Sequence, residues 1–417
     1  MATFGPFEYR PRLAVAVSGG TDSMALLLLA RRWAQSVEGD VVALVADHGL
    51  RLESGAEARG VARWCRDQGI DCRILTLTLN TSGGNIQHEA RDARYRALFD
   101  WCRDHSVLHL LVAHHRDDQA ETLMLRLARG SGLEGLTGMA PEVVQDDCRL
   151  LRPLLDFPKT ALIAEVTGLP VVHDPSNRNR RFARVQVRQA APDLAALGLT
   201  AARLAVTTEQ LARSEGVIES LTDRAKLRHV RPHPAGWLRI DVAGLGQEPE
   251  VVAHRLLSRV AAWVGGTLYP PRYEGIEALW GERDAARERT LGGALWLPKR
   301  GGQWLVCREP AAIAGNQPLS DRQVWDGRFL AGEAVAAEAG WRIGAVGADA
   351  AAFRRRRPWP SVVIQGLPMV EALDGSRSIP HLSYQQGTPA PALVHRPLRR
   401  FVEGRAAMMR DSTAAGW

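Results

Sequence analysis

Short apolar runs alternate with longer amphipathic stretches through the first 190 residues of the chain. Leu13–Val17 is wholly apolar, turns at Ser18–Gly20 and gives way to a helical stretch over Asp22–Trp33. Val41–Ala46 repeats the run, and Ser54–Gln68 sets Ala58, Val61, Ala62 and Cys65 at helical spacing. Arg73–Leu79 and Val107–Ala113 predict two further strands, with helices over Asn85–Asp104 and Asp117–Arg129. Leu150–Leu155 and Lys159–Thr167 add a strand and a helix. Strands with little internal polarity, spaced by helices, predict an α/β fold whose parallel sheet is covered on both faces. An open sheet of that kind takes its ligands beyond the carboxyl ends of its strands.

The pattern changes after residue 168. Residues 168–190 are polar and arginine-rich, and Asp193–Ala225 predicts a long helix with Leu197, Leu204, Leu211, Ile218 and Leu221 at near-heptad spacing, weakened by Gly198 and Gly216. Val251–Trp263 and Arg272–Trp280 predict amphipathic helices, and Ala294–Val306 predicts a hairpin around Gly301-Gly302. Strand-like pieces follow at Val324–Phe329, Trp341–Val346, Val362–Ile364 and Leu393–Val402. No internal repeat is present.

A length of 417 residues suits two or three domains, and 46% hydrophobic against 24% charged residues excludes wholesale disorder. The net charge of +7 suits a polyanionic partner, though it is also an ordinary charge for solubility. Met24–Ala30 and Val41–Ala46 are too short to cross a bilayer, so no membrane association is expected. Met1–Arg12 lacks an apolar signal core, so the cytoplasm is the expected compartment. The five cysteines form no CxxC pair, which argues against a disulfide framework, a zinc knuckle and an iron–sulfur cluster.

Chemistry concentrates at the predicted strand ends. In Ser18-Gly19-Gly20-Thr21-Asp22-Ser23, two glycines let backbone approach a phosphate, and the following helix presents free N–H groups to an anion. Asp22 there is either a metal ligand or a helix cap. The GxxxxGK[ST] spacing of a P-loop kinase is absent. Asp47 and His48 close the second strand, where adenine or ribose would rest, or else form a capped turn before Ser54. Arg91 and Arg94 share a helix face beside Tyr95 and can grip phosphate or carboxylate. The richest stretch is Ala113-His114-His115-Arg116-Asp117-Asp118-Gln119-Ala120-Glu121-Thr122. Asp117, Asp118 and Glu121 share faces at i+3 and i+4, suited to magnesium or to an amine nucleophile; zinc fits this acid-rich set less well. The glycine-rich Gly130–Gly138 predicts a mobile loop that closes over substrate.

SGGTDS after a hydrophobic strand resembles the signature of the N-type ATP pyrophosphatases, adenylating enzymes that split ATP between the α and β phosphates. With the DHGLR, AHHRDDQAET and RGSGLEGLTGM segments, Arg152-Pro153-Leu154-Leu155 and Asp174-Pro175-Ser176-Asn177, the chain is similar to the bacterial tRNA(Ile)-lysidine synthetases. The motif match is close over about residues 13–190 and looser beyond. One departure is Val185 in Phe182-Ala183-Arg184-Val185-Gln186-Val187-Arg188, where the family commonly has asparagine.

The resemblance implies an adenine nucleotide hydrolase-like catalytic domain over 1–190. A helical linker and tRNA-binding middle domain would follow over 191–310, and a small α+β, tRNA-binding C-terminal domain over 311–417. It implies ATP-dependent joining of free L-lysine to C2 of cytidine 34 in the CAU anticodon of a minor tRNA(Ile), through an adenylated cytidine. ATP and Mg2+ are the implied cofactors, and a homodimer is one assembly the family adopts. Ser18, Gly19, Gly20, Thr21, Asp22, Ser23, Asp47, His48, Arg91 and Arg94 are then expected at ATP, and Asp22 and Asp118 at the metal. Asp22, His114, Asp117, Asp118 and Glu121 are expected to carry catalysis, a carboxylate of 117–121 holding and deprotonating the lysine amine. Arg178, Arg180, Arg181, Arg184 and Arg188 put five guanidiniums in eleven residues and are expected on tRNA phosphates. Patches at Arg354–Arg357 and at Arg396, Arg399 and Arg400 add to them. Rival readings are a tRNA thiolation enzyme on the same fold, another small-molecule amidating enzyme, and a non-catalytic RNA-binding protein with a degenerate nucleotide fold.

Overall fold

Leu13, Ala14 and Val15 have no exposed surface, which places β1 (Arg12–Ala16) inside a six-stranded sheet. The computed structural model describes residues 1–47, 49, 54–77, 86–145, 148–172, 183–285, 287–320, 324–332 and 340–397. The other strands are β2 (Asp40–Asp47), β3 (Asp71–Thr76), β4 (His109–Leu111), β5 (Glu142–Gln145) and β6 (Cys148–Leu151). Their order is β3-β2-β1-β4-β6-β5, parallel throughout except for β5 against β6. Strand β5 has no counterpart among the predicted strands.

Helices α1 (Thr21–Ser36), α2 (Ser54–Asp67), α3 (Ile86–Asp104), α4 (Arg116–Ala128), the single turn α5 (Leu133–Leu136) and α6 (Lys159–Glu165) connect the strands. Alternation along β1 sends Leu13 and Val15 to one face with Met24, Leu27 and Val61, and Ala14 to the other with Leu98, Phe99 and Trp101. Each fully buried large side chain among them stabilises the fold by ~1.5–3 kcal/mol. Because β2 and β4 flank β1 on opposite sides, the chain reverses its direction of growth there. The crevice beyond the carboxyl ends of β1 and β4 is therefore the topological switch point.

The helix expected over 193–225 is two helices, α7 (Ala183–Ala196) and α8 (Ala201–His229). Gly198 adopts φ +87°, and Leu199 N–H reaches back to Leu194 C=O at 2.8 Å, closing α7 with a left-handed cap.

Two compact units divide at residue 215. In the second unit, β7 (Val230–His233), β8 (Trp237–Asp241), β9 (Arg289–Leu291), β10 (Ala294–Lys299) and β11 (Gln303–Arg308) form an antiparallel sheet ordered β7-β8-β11-β10-β9. Helices α9 (Val242–Leu245), α10 (Glu250–Gly265) and α11 (Tyr273–Gly281) accompany it, and Leu256, Val260 and Trp296 share one core. The predicted 294–306 hairpin is β10–β11, turning where Lys299 faces Gln303.

Beyond it, β12 (Gln317–Pro318), β15 (Arg342–Ala345), β16 (Pro368–Glu371), β17 (Arg377–Ile379) and β18 (Tyr384–Gln386) form a second sheet. The strands β13 (Val324–Trp325), β14 (Phe329–Ala331) and β19 (Leu393–His395) form a third. Helices α12 (Ala350–Phe353) and α13 (Ser361–Gln365) complete the unit. Val362–Ile364, predicted as strand, lies in α13; a three-residue apolar run carries no period to tell the two apart.

Residues 216–397 belong to one compact unit. Buried Asp326 accepts from Arg308 Nε at 2.9 Å and Arg328 Nε at 2.8 Å, tying the end of β11 to the turn between β13 and β14. Among the described residues no helix is long and apolar enough to cross a membrane.

Candidate active site

The Ser18–Ser23 turn leaves the carboxyl end of β1. Ser18 N–H donates to Ser23 Oγ (3.1 Å), Ser23 Oγ donates to Gly20 C=O (3.0 Å), and the two hydroxyls lie 3.2 Å apart, so the turn is closed on itself. Gly19 sits at φ +81°, where a Cβ would come within 2.8 Å of Val61 and Val172. Glycine is thus required both by conformation and by space. Gly20 is the N-cap of α1 and receives no side-chain cap, so Asp22 is free of the capping role.

Asp22 instead meets the segment that follows β4. His115 Nε2 lies 3.6 Å from Asp22 Oδ2 and 3.4 Å from Asp118 Oδ2, and His115 Nδ1 lies 3.4 Å from Asp117 Oδ2. Lys159, at the start of α6, places Nζ 3.4 Å from Asp22 Oδ2 while its backbone N–H donates to Asp117 Oδ2 at 3.0 Å. Burial disfavours a charged imidazole, but Asp117, Asp22 and Asp118 outweigh it and bring His115 up to about 9. His115 in turn takes Asp117 down to about 2. Burial would raise the Asp22 carboxyl, yet His115 and Lys159 hold it below the usual carboxylate range. The glycine turn and the acidic helix therefore share one cluster of alternating charge.

Not every oxygen in the cluster is taken. Asp22 Oδ1 and Glu121 Oε2 are buried without a hydrogen-bond partner among the described residues. Asp118 has both oxygens engaged, one by His115 N–H at 3.1 Å and one by Arg188 at 3.3 Å. Burial raises the pKa of Glu121 despite its bond to Arg188. No group of three or more His, Cys, Asp or Glu is gathered for a metal among the described residues.

Behind the carboxylates lies a buried basic group. Arg152 Nε donates to His114 Nδ1 at 3.3 Å and its Nη1 to Ala140 C=O at 2.6 Å. Arg91 is buried over the Tyr95 ring at 5.1 Å, and Arg94 lies 5.9 Å from the same ring. Burial, then Arg152, Arg91, Arg184 and Arg94, hold His114 well below its ordinary value, so it is neutral near pH 7.

Arg184 and Arg188, one helical turn apart on α7, face α4. Arg184 is 5% exposed, donates to Thr122 Oγ1 at 3.1 Å and lies 3.7 Å from Glu121. A guanidinium so placed supports the acidic helix. Arg188 is more open but pairs with Glu121 and Asp118. Val185 is buried between them in sequence, where asparagine would need polar partners. Arg178, Arg180, Arg181 and His48 lie outside the described residues, as does Asp174–Asn177.

Asp47 Oδ1 accepts from Gly49 N–H (3.1 Å) and Ser54 Oγ (2.7 Å), the local turn before α2. The Gly130–Gly138 stretch is tied down: Gln119 exchanges two hydrogen bonds with Met139 (2.8 and 2.7 Å), and Arg126 donates to the carbonyls of Gly135 and Gly138. Residues that the sequence reading passed over are Lys159 and, as the charge centre, His115. Lysine was a usable signal, because the chain has three lysines against 50 arginines.

A phosphate turn and an acidic helix meeting at the switch point of a parallel sheet define the ATP-using PP-loop class, and the model of the PP-loop domain matches residues 3–194. Among curated proteins, the chain is 38% identical to the tRNA(Ile)-lysidine synthase of Ruegeria pomeroyi over 321 residues, 76% of each chain. It is 44% identical to that of Methylobacterium nodulans over 315 residues, 73% of this chain and 92% of the relative. The Wolbachia pipientis protein of the same name is 34% identical over 331 residues, 77% of each. The chain belongs to the tRNA(Ile)-lysidine synthase family and is an ATP-using ligase.

Proposed function

We propose that the protein joins free L-lysine to C2 of cytidine 34 in the CAU anticodon of a minor tRNA(Ile), by way of an adenylated cytidine, releasing AMP and diphosphate. The observation that carries this reading is the meeting of Asp22 with His115, Asp117 and Asp118. It sets a phosphate turn beside carboxylates suited to an amine. O2 of cytidine is a poor leaving group, and adenylation makes its displacement feasible without a protein nucleophile.

The chain's own groups divide this work. Gly19, Gly20 and the first turn of α1 receive the phosphates. Magnesium would offset phosphate charge there, and Asp22 is the residue that would hold it, since Oδ1 has no hydrogen-bond partner among the described residues. Asp118, with both oxygens committed, is the weaker ligand. Neutral His114 accepts from Arg152 at Nδ1, which leaves its proton on Nε2 and fixes the orientation of that guanidinium behind the carboxylates. The lysine ammonium, ordinarily near pKa 10.4, must lose a proton before attack. Glu121 is the carboxylate suited to hold it and take that proton, because Oε2 accepts no hydrogen bond among the described residues and burial raises its basicity, whereas Asp117 near 2 is a poor base.

A thiolation enzyme would need cysteine at this crevice. Cys72 and Cys148 instead lie at the amino ends of β3 and β6, and Cys65 and Cys102 near the carboxyl ends of α2 and α3, away from it. The test is a reaction with ATP, labelled lysine and the minor tRNA(Ile), followed by mass analysis of nucleosides. Labelled lysidine with AMP and diphosphate is the expected result. Absence of label at cytidine 34, or product formed only with a sulfur donor, would overturn the reading.

A further inference from the structure

We infer that Lys159 is a phosphate-contacting residue of this site, whose ammonium passes from Asp22 to the departing diphosphate of ATP. This rests on reading residues 18–23 as the ATP phosphate turn.

The backbone of Lys159 is fixed on α4. Its N–H donates to Asp117, and Arg116 N–H donates to Phe157 C=O at 3.0 Å, so residues 157–159 are laced to the start of that helix. From this anchor the side chain crosses to Asp22, in the first turn of the helix that follows the glycines. Asp22 thus has two cationic neighbours of different character. His115 is 1% exposed and sealed among carboxylates, whereas the Lys159 side chain is 43% exposed. An ion pair that open is weak, and a four-carbon stem lets the ammonium change partner at little cost. An anion at the glycine turn competes with Asp22 for it. Cleavage between the α and β phosphates leaves most of the new negative charge on the diphosphate, where a mobile cation is worth most. The same movement leaves His115 as the remaining cationic neighbour of Asp22 Oδ2.

The rarity of lysine supplies the test. Lys159, Lys226 and Lys299 are the three lysines of the chain, so amine-selective acylation of the full protein, read by peptide mass spectrometry, reports on each. Saturating ATP analogue blocked at the α–β bridge, with magnesium, should slow acylation of Lys159 several-fold and leave Lys226 and Lys299 unchanged. Equilibrium dialysis run in parallel tells two failures apart. Nucleotide bound with Lys159 unprotected overturns the role of Lys159 and leaves the ATP site standing; no nucleotide bound removes both. Lys159→Met should cut diphosphate release by roughly 10²–10³-fold with an unchanged melting temperature, and Lys159→Arg should recover part of it. A fully active Lys159→Met would equally refute the role.

Discussion

His115 stands 3.6 Å from Asp22, so one buried imidazole joins the helix after β1 to the helix after β4. Its charge is sustained by three carboxylates, and it holds together segments nearly a hundred residues apart in sequence.

Stability should therefore depend on pH in a definite direction. A histidine raised from about 6.5 to about 9 stabilises fully below pH 6.5, and that contribution is lost as pH rises through 9. His115→Gln should cost on the order of 2–4 kcal/mol near pH 6 and little at pH 10. Denaturation of both proteins across this range checks it, and a penalty equal at both ends would contradict it.

Asp22→Asn keeps the shape of the side chain and removes its charge. AMP formation should fall by roughly 10²–10³-fold while tRNA retention on filters is unaltered. A mutant that adenylates normally would remove Asp22 from the chemistry.

Glu121→Gln should separate the two half-reactions. Diphosphate release in a first turnover continues, while transfer of lysine falls by roughly 10²–10⁴-fold, the range of general-base loss. Equal loss in both half-reactions would place Glu121 in the scaffold instead.

Arg184→Met removes the hydrogen bond to Thr122 and one of the two guanidiniums beside Glu121, leaving Arg188, and should cost ~1–3 kcal/mol. The salt dependence of tRNA affinity should be unchanged, because each lost phosphate contact would flatten the logarithmic slope by roughly 0.7–0.9. A flattened slope would return Arg184 to the RNA interface.

Legibility followed the length scale of the interaction. Leu13–Val17 and Val41–Ala46 announce buried parallel strands, because both faces of such strands are apolar. The Ser18–Ser23 turn is equally legible, since close backbone approach at Gly19 admits no other residue. The partners of Arg184 were not: one arginine of five in a basic run looks solvated until α7 is seen against α4. Gly130–Gly138 misleads in the opposite sense. Its glycines suggest motion, but Gln119 and Arg126, distant in sequence from the carbonyls they bind, fix it. Lys159 escaped because its role lies in reaching Asp22, 137 residues away.

Val172 donates to Gly19 C=O at 2.9 Å, and Arg184 is locked onto Thr122. Val172 is thus anchored on the phosphate turn, and Arg184 on the acidic helix. The turn and the helix are each buttressed by a segment that follows α6 in the chain, so loosening either anchor would disturb the crevice from outside the sheet.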